Sequence, residues 1–313
     1  MPEHRARDAA SVDLGLAWTW EFDAPFIRAI AAKFQERGLS VQEITPANIS
    51  SVTEDVLSRR RRLRAIFDRA SDEDDSFHEL ADFMLREHRA APGTPGRFLN
   101  PPDDSRRAAD KATMHLEFIS NGIHVPYTII LSPLSEEPVV SIQADRLENL
   151  GKPFVIKPAN TTGGGIGVVL NARTIEEVMA QRKVHRGDKY LLQRRVVPVY
   201  LSESRAWFRV FFAFGDVRLC WWDDQTHVYE EVTGDEERWF GLDELRTSAK
   251  TIANVCGLDF FSTEFAQTGD GTFVSVDYVN ELCDMRPKSI VPTGVPDSLL
   301  HWVATRMMLH LAQ

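Results

Sequence analysis

Lys157 lies in an apolar run, PFVIKPAN, that begins at Pro153 and passes directly into the glycine-rich segment TTGGGIG. A lysine on a strand is most often a snorkelling edge residue, and glycines at a hairpin tip most often only make the turn. Side by side they offer more. Gly163, Gly164 and Gly165 let backbone N–H groups approach phosphate oxygens without a Cβ clash, while the nearby ammonium supplies charge for a polyphosphate. Two commoner phosphate motifs fail on spacing: Val168 stands where the dinucleotide fingerprint needs a third glycine, and no GxxxxGK[ST] occurs. A P-loop NTPase is excluded, and a dinucleotide oxidoreductase is a distant alternative.

Toward the C-terminus, FSTEFAQTGDGTFVSVDYVN reads as a second hairpin. With Asp270-Gly271 as a two-residue turn, Glu264 faces Asp277, at a separation where two carboxylates repel. A cation between them relieves the repulsion, and Mg2+ takes oxygen ligands of this kind, with Asn280 adding an amide oxygen. The plain alternative is two solvated surface acids. Asp277 and Asn280 are three apart, so a straight strand would point them to opposite faces; a bulge or a strand end is required to unite them.

A third hairpin, WFRVFFAFGDVRLCWW, turns at Gly215 and Asp216 and sets Arg209 and Arg218 on one side. Guanidinium forks there suit a phosphate, although exposed arginines are equally common. Arg286 and Lys288, beyond Asn280, are further anion candidates or simple loop charges.

The elements that carry these residues alternate. Strands at VDLGLAW, LSVQEI and AIFD, with a helix between Asp23 and Gly38 and another from Phe77 to Arg89, form βαβ units that the loop APGTPG interrupts. A short strand FLN, a helix between Asp104 and Asn121, and the strand VPYTIIL follow. Thr174 and Glu177 form a capping box, KYLLQRRVV is a strand, and helices run from Asp243 to Cys256 and from near Asp297. The arginine block Arg59 to Arg62 reads as a solvated helix face.

At 313 residues the chain has room for two or three packed lobes. Its formal charge of -10 argues against a broad nucleic-acid surface, so an anion site has to be built locally. Cys220, Cys256 and Cys283 fit neither a disulfide framework nor a zinc knuckle and point to a cytoplasmic, reducing location. No apolar run is long enough for a membrane span or an export signal.

From Phe98 to Asn280 the order of these features resembles the ATP-grasp superfamily, in particular the branch of ribosomal-protein glutamate ligases (RimK-like) and, more distantly, D-alanine-D-alanine ligase. FLNPPDDSRRAADKATMHLEFISNGIHVPYTI, FVIKPANTTGGGIGVV, YLLQRRVVP and FRVFFAFGDV carry the likeness. It implies an ATP-grasp fold of α/β and α+β parts in three lobes: residues 1–105 as an N-terminal α/β domain, 106–195 as linker helix and lid, and 196–313 as the C-terminal domain. ATP would lie between the last two. Lys111 and Lys157 would then hold phosphates, and Gln193, Arg194, Arg195 and Val196 would form the adenine-binding hinge, with Glu203 for the ribose. Glu264, Asp277 and Asn280 would hold Mg2+, with Mn2+ as a substitute, and Arg209 and Arg286 would stabilise the reacting groups. Two departures stand out. The sequence reads Asp-x-x-Asn rather than Glu-x-Asn, and Arg194 stands where a glutamate is common.

The reaction implied by the resemblance joins a carboxylate to an amine acceptor, whether amino acid, peptide or protein, through an acyl phosphate; a homodimer or higher oligomer also follows from it. A kinase acting on a small-molecule hydroxyl and a non-catalytic ATP-binding protein are the alternatives.

Overall fold

The computed structural model describes residues 10–90, 97–134, 144–160 and 167–313, so the APGTPG loop and Gly163, Gly164 and Gly165 lie outside the described residues. The first apolar run divides at Asp13 into β1 (Ala10–Val12) and β2 (Leu14–Trp18). There the Asp13 carboxylate accepts from the Ser40 N–H and hydroxyl at 2.8 Å each and from Arg64 at 2.7 Å. Helix α1 (Ala24–Gln35) carries Pro25 in its first turn, and the chain leaves it at Gly38 with φ +70°. Then come β3 (Val41–Ile44), α2 (Ile49–Leu57), β4 (Arg61–Leu63), β5 (Ala65–Arg69), α3 (His78–Ala90) and β6 (Arg97–Leu99). Strands β3-β2-β5-β6 make a parallel sheet, the βαβ arrangement expected from the sequence. Arg59 to Arg62 do not form the helix face expected: α2 ends at Leu57 and Arg61 opens β4, and Arg59, Arg60 and Arg61 pair there with Glu87, Glu54 and Asp55.

The helix expected between Asp104 and Asn121 is two helices, α4 (Pro102–Ala109) and α5 (Lys111–Ser120). Asp110 is the break. Its backbone is extended, and its side chain accepts from Ala112 and Thr113 N–H as the N-cap of α5. Strand β7 (Thr128–Leu131), α6 (Ala144–Leu150), β8 (Phe154–Pro158), β9 (Val169–Ala172), α7 (Ile175–Arg182) and β10 (Tyr190–Arg194) follow, and α7 has the Thr174–Glu177 capping box. Their antiparallel sheet runs β7-β10-β8-β9. Strand alternation sends Phe154, Ile156, Tyr190 and Leu192 into one apolar cluster and turns Lys157, Leu191 and Gln193 to the other side.

A two-strand ribbon, β11 (Tyr200–Leu201) and β12 (Ser204–Arg205), precedes β13 (Trp207–Ala213), β14 (Asp216–Trp222) and β15 (Tyr229–Glu231). Helices α8 (Gly234–Phe240) and α9 (Asp243–Cys256), strands β16 (Phe260–Gln267) and β17 (Phe273–Asn280), and helix α10 (Asp297–Leu311) complete the described chain. The five strands form an antiparallel sheet in the order β15-β14-β13-β16-β17. The β13–β14 turn lies at Phe214-Gly215, both with positive φ, one residue earlier than expected. Register therefore shifts by two residues, which preserves the faces, and Arg209 and Arg218 do share one side. They do not converge: Arg218 pairs with Glu231 and lies over Trp302.

One face of the five-stranded sheet presents Phe208, Val210, Phe212, Phe261, Phe265 and Tyr278 to α9, α4 and α5. At one end of the other face, Phe211, Cys220, Tyr229 and Phe260 share a core with α1, α10 and the parallel sheet. The rest of that face holds Arg209, Glu264 and Asp277 beside Trp207 and Trp222. Asn100 stitches the two units, its Oδ1 accepting from Asp259 and Phe260 N–H at 2.9 and 3.0 Å. All three cysteines are buried and unbridged, and among the described residues no helix is long and apolar enough to cross a membrane.

Asp23, expected to open α1, makes no side-chain cap. Its carboxylate instead receives both prongs of Arg69 at 2.7 and 2.9 Å, and Arg69 donates onward to the Cys283 carbonyl at 3.0 Å. Both side chains are almost fully buried, so removing one strands the other's charge. Asp23→Ala is expected to cost about 3–5 kcal/mol of unfolding free energy in denaturant titrations.

Candidate functional site

The β16–β17 hairpin is where local geometry decides most. Thr268 N–H reaches the Thr272 carbonyl at 2.9 Å, so the loop holds three residues, Gly269–Gly271, with Gly271 at φ +86°, rather than the two expected. Alone, that extra residue would slip the register and separate Glu264 from Asp277. A bulge at Val276 restores it: Phe265 faces Ser275, yet Glu264 faces Asp277. A second irregularity lets Ser262 face Asn280, so the three-residue step from Asp277 to Asn280 matches a two-residue step on β16. Asp277 and Asn280 therefore share a face with Glu264, as the spacing required.

Val276, the residue with no ladder partner, turns its carbonyl toward the other antiparallel sheet, where it accepts from the Lys157 Nζ at 3.0 Å. Lys157 and Glu264 are 9% and 7% exposed, so solvent does little to separate these charges. Burial pulls the Lys157 ammonium down from the ordinary lysine range, Asp277 and Glu264 push it back up, and Lys111 adds to the fall. Burial likewise works to raise the Asp277 carboxyl, but Lys111, Lys157 and Arg209 overcome it and hold the group below the usual carboxylate range. Glu264 goes the other way, raised by burial and by Asp277 against the pull of Arg209 and Lys157. The two facing acids thus have different proton affinities.

Arg209 is the cation in direct contact with Glu264. Its Nη1 bonds the Glu264 Oε1, its Nε donates to the Ser262 hydroxyl at 3.0 Å, and its plane lies 5.7 Å from the Trp222 ring centroid. With the Asn280 amide oriented by its hydrogen bonds, the amide oxygen accepts from Arg209 Nη2 at 2.6 Å and the nitrogen donates to the Leu282 carbonyl at 3.2 Å. Trp207 Nε1 donates to the second Glu264 oxygen at 3.2 Å. Burial lowers the Arg209 pKa, but Tyr229, Glu264 and Asp277 raise it by more, so the guanidinium stays charged.

Of the residues singled out from the sequence, Lys111, Lys157, Arg209, Glu264, Asp277 and Asn280 converge. Gln193 lies behind them, its amide nitrogen 2.6 Å from the Tyr278 hydroxyl. Arg194 ends β10 with its side chain on the Asn149 carbonyl, and Arg195 donates to Asn171 at 2.9 Å. Val196 lies in the extended segment after β10, and among the described residues no main-chain hydrogen bond engages Arg195 to Val197. Glu203 sits exposed between β11 and β12, with no bond to the cluster among the described residues. Arg286 lies to one side, paired with Asp284 and 5.5 Å from the Trp20 ring centroid. Lys288 is spent on the Tyr229 carbonyl.

Sequence reasoning missed the layer beneath. Tyr278 follows Asp277 but points to the opposite face, where its hydroxyl lies 2.6 Å from His115 Nδ1 on α5, the helix that begins with Lys111. With Gln193 donating to the phenol oxygen, the phenol proton goes to a neutral imidazole. Burial drives the His115 pKa down to about 4, which keeps the ring neutral. Only a strand residue of opposite parity to Asp277 signalled this, and nothing in the sequence paired it with a histidine 163 positions away.

No protein-family model matches the sequence, and no curated protein sequence does. Solved structures match nearly the whole chain. A RimK domain ATP-grasp protein from Sphaerobacter thermophilus DSM 20745 is 20% identical with a TM-score of 0.59, covering 96% of this chain and 99% of its own. The ATP-grasp ligase PsnB, complexed with a minimal precursor, Mg and ADP, is 12% identical with a TM-score of 0.62, covering 96% and 100%. D-alanine--D-alanine ligase from Bacillus anthracis, complexed with ATP, is 12% identical with a TM-score of 0.58, covering 96% and 99%. The chain has the ATP-grasp fold, as its resemblance to that superfamily implied.

His115 binds its proton more weakly folded than unfolded, so stability is complete above pH 6.5 and falls as pH drops toward 4. The expected loss by the acid end is about 3 kcal/mol. Chemical denaturation at successive pH values checks it, and His115→Gln should flatten the slope over that window.

Proposed function

We propose that this chain is an ATP-dependent ligase that joins a carboxylate to an amine. The single observation that carries the reading is the convergence of Lys111 and Lys157, from α5 and β8, on Glu264 and Asp277, which face each other across β16 and β17. Charges of both signs buried together are what a triphosphate with a divalent ion needs.

Glu264, Asp277 and Asn280 are hard oxygen donors on one face, and among the described residues no larger acidic or histidine cluster competes with them. That donor set suits Mg2+, which would take one or two carboxylates and leave its other positions to phosphate oxygens and water. When bound, the ion would neutralise charge on the phosphates. Lys111 and Lys157 would meet phosphate oxygens, the hinge from Gln193 through Val196 would meet the adenine edge with the backbone of Arg195 and Val196, which makes no main-chain hydrogen bond among the described residues, and Gly163 to Gly165 would offer backbone N–H groups to the phosphates.

Arg209 would steady the group being transferred, and Arg286 a charge beside it. A substrate carboxylate oxygen attacks the γ-phosphorus, the bond to the bridging oxygen breaks, and ADP leaves. The amine nitrogen then attacks the acyl carbon, the carbon–oxygen bond to phosphate breaks, inorganic phosphate departs, and nitrogen gives up a proton. No protein nucleophile is required, so the work is positioning and charge neutralisation.

ADP release with a panel of carboxylates, using hydroxylamine to trap the acyl phosphate as a hydroxamate, tests the reading. Hydroxamate formation that depends on ATP and Mg2+ is expected, and a phosphorylated alcohol in its place would mark a kinase. Lys157→Ala is expected to weaken AMPPNP binding about tenfold or more and to abolish ADP release. Asp277→Asn should remove the Mg2+ dependence of nucleotide binding while leaving the melting temperature near that of the parent.

A further inference from the structure

Arg209 bonds to the residues proposed to hold the divalent ion. Its Nη1 bonds Glu264 Oε1, its Nη2 donates to the Asn280 amide oxygen at 2.6 Å, and its Nε donates to the Ser262 hydroxyl at 3.0 Å. One guanidinium therefore joins two of the three oxygen-bearing side chains on that face, while the third, Asp277, feels Arg209, Lys111 and Lys157 through space. A planar fork suits two acceptors at once. Mg2+ needs the same oxygens at about 2.0–2.1 Å, where two cations on one oxygen repel. The Arg209 and Glu264 side chains are 11% and 9% exposed, so water screens little of that repulsion.

The surroundings let the guanidinium leave without dismantling the face. Trp207 Nε1 holds the other Glu264 oxygen at 3.2 Å, a bond that does not involve Arg209. The guanidinium lies 5.7 Å from the Trp222 ring centroid, and that ring is itself stacked on His227, with centroids 5.2 Å apart and planes 6° from parallel. A ring held in this way attracts a cation over a range of lateral positions, as long as the charge stays within about 6 Å of its centroid.

Resting on the ligase reading, we propose that Arg209 and the divalent ion compete for Glu264 and Asn280, and that the displaced guanidinium turns to the phosphates of the nucleotide. Arg209 thereby controls metal entry as well as meeting the phosphoryl group. The chain alone holds the ion weakly, because Arg209 must give up two acceptors and gains none. A bound nucleotide supplies the new acceptor, which couples the two bindings.

Mn2+, with the free ion counted by electron paramagnetic resonance, tests this on the nucleotide-free full chain. Arg209→Lys keeps the charge but loses the fork that spans Glu264 and Asn280, and should bind Mn2+ about tenfold tighter than the parent. Ser262→Ala removes only the anchor of Arg209 Nε, disturbs folding far less, and should tighten binding about threefold. With saturating AMPPNP both differences should shrink to about twofold or less. If neither variant binds Mn2+ tighter than the parent, as a purely electrostatic role for Arg209 requires, or if the differences persist undiminished with AMPPNP, the exchange is overturned. The ligase reading then still stands where Asp277→Asn removes the Mg2+ dependence of AMPPNP binding. Failure of AMPPNP to bind, or binding indifferent to Asp277, removes both.

Discussion

Two carboxylates, the buried Glu264 and the half-buried Asp277, face each other across β16 and β17, and the rest of the site is arranged around keeping them there. In a low-dielectric setting such a pair is unfavourable unless cations stand close. The cations arrive from three directions: Arg209 from the adjacent strand, Lys157 from a strand of a second sheet, and Lys111 from the first turn of a helix. Each depends on a different element, so the balance exists only when the sheets and α5 are docked.

The docking has its own chemistry. The apolar face of the five-stranded sheet, filled by Phe208, Phe261, Phe265 and Tyr278, is continuous with Leu191 of the other antiparallel sheet and with Met114 and Phe118 of α5. Within that layer Tyr278 joins His115 to Gln193, so the helix bearing Lys111 and the strand leading to the proposed hinge are tied to the residue after Asp277. The bulge at Val276 turns one carbonyl outward to Lys157 and keeps Asp277 opposite Glu264. A single irregularity therefore settles both the acid pair and its partner.

Beyond Asn280, the Asp23–Arg69 pair anchors the chain at Cys283 to the end of the parallel sheet. Arg286, Asp284 and the Trp20 side chain meet in that region. In the proposed reading this is where substrates other than the nucleotide are held, at the carboxyl edge of a parallel sheet where open α/β folds commonly bind ligands.

Strand and helix positions were largely legible, because periodicity, capping residues and glycines act over a few neighbours: the Thr174 capping box, the Gly38 stop and the βαβ alternation all formed as read. The chemistry-bearing types were legible for the same reason, since Lys157, Arg209, Glu264, Asp277 and Asn280 each stand out of an apolar strand. Their partners were not. The Glu264–Asp277 pairing was expected from a two-residue turn and arises from a three-residue loop plus a bulge, two deviations that cancel. Whether Asp23 caps a helix or binds Arg69, and whether Tyr278 meets His115, depend on groups distant in sequence. Local sequence sets which backbone conformations and side-chain types are on offer; only the packed sheets decide which buried charges and hydrogen bonds find each other, because desolvation penalises every one that does not.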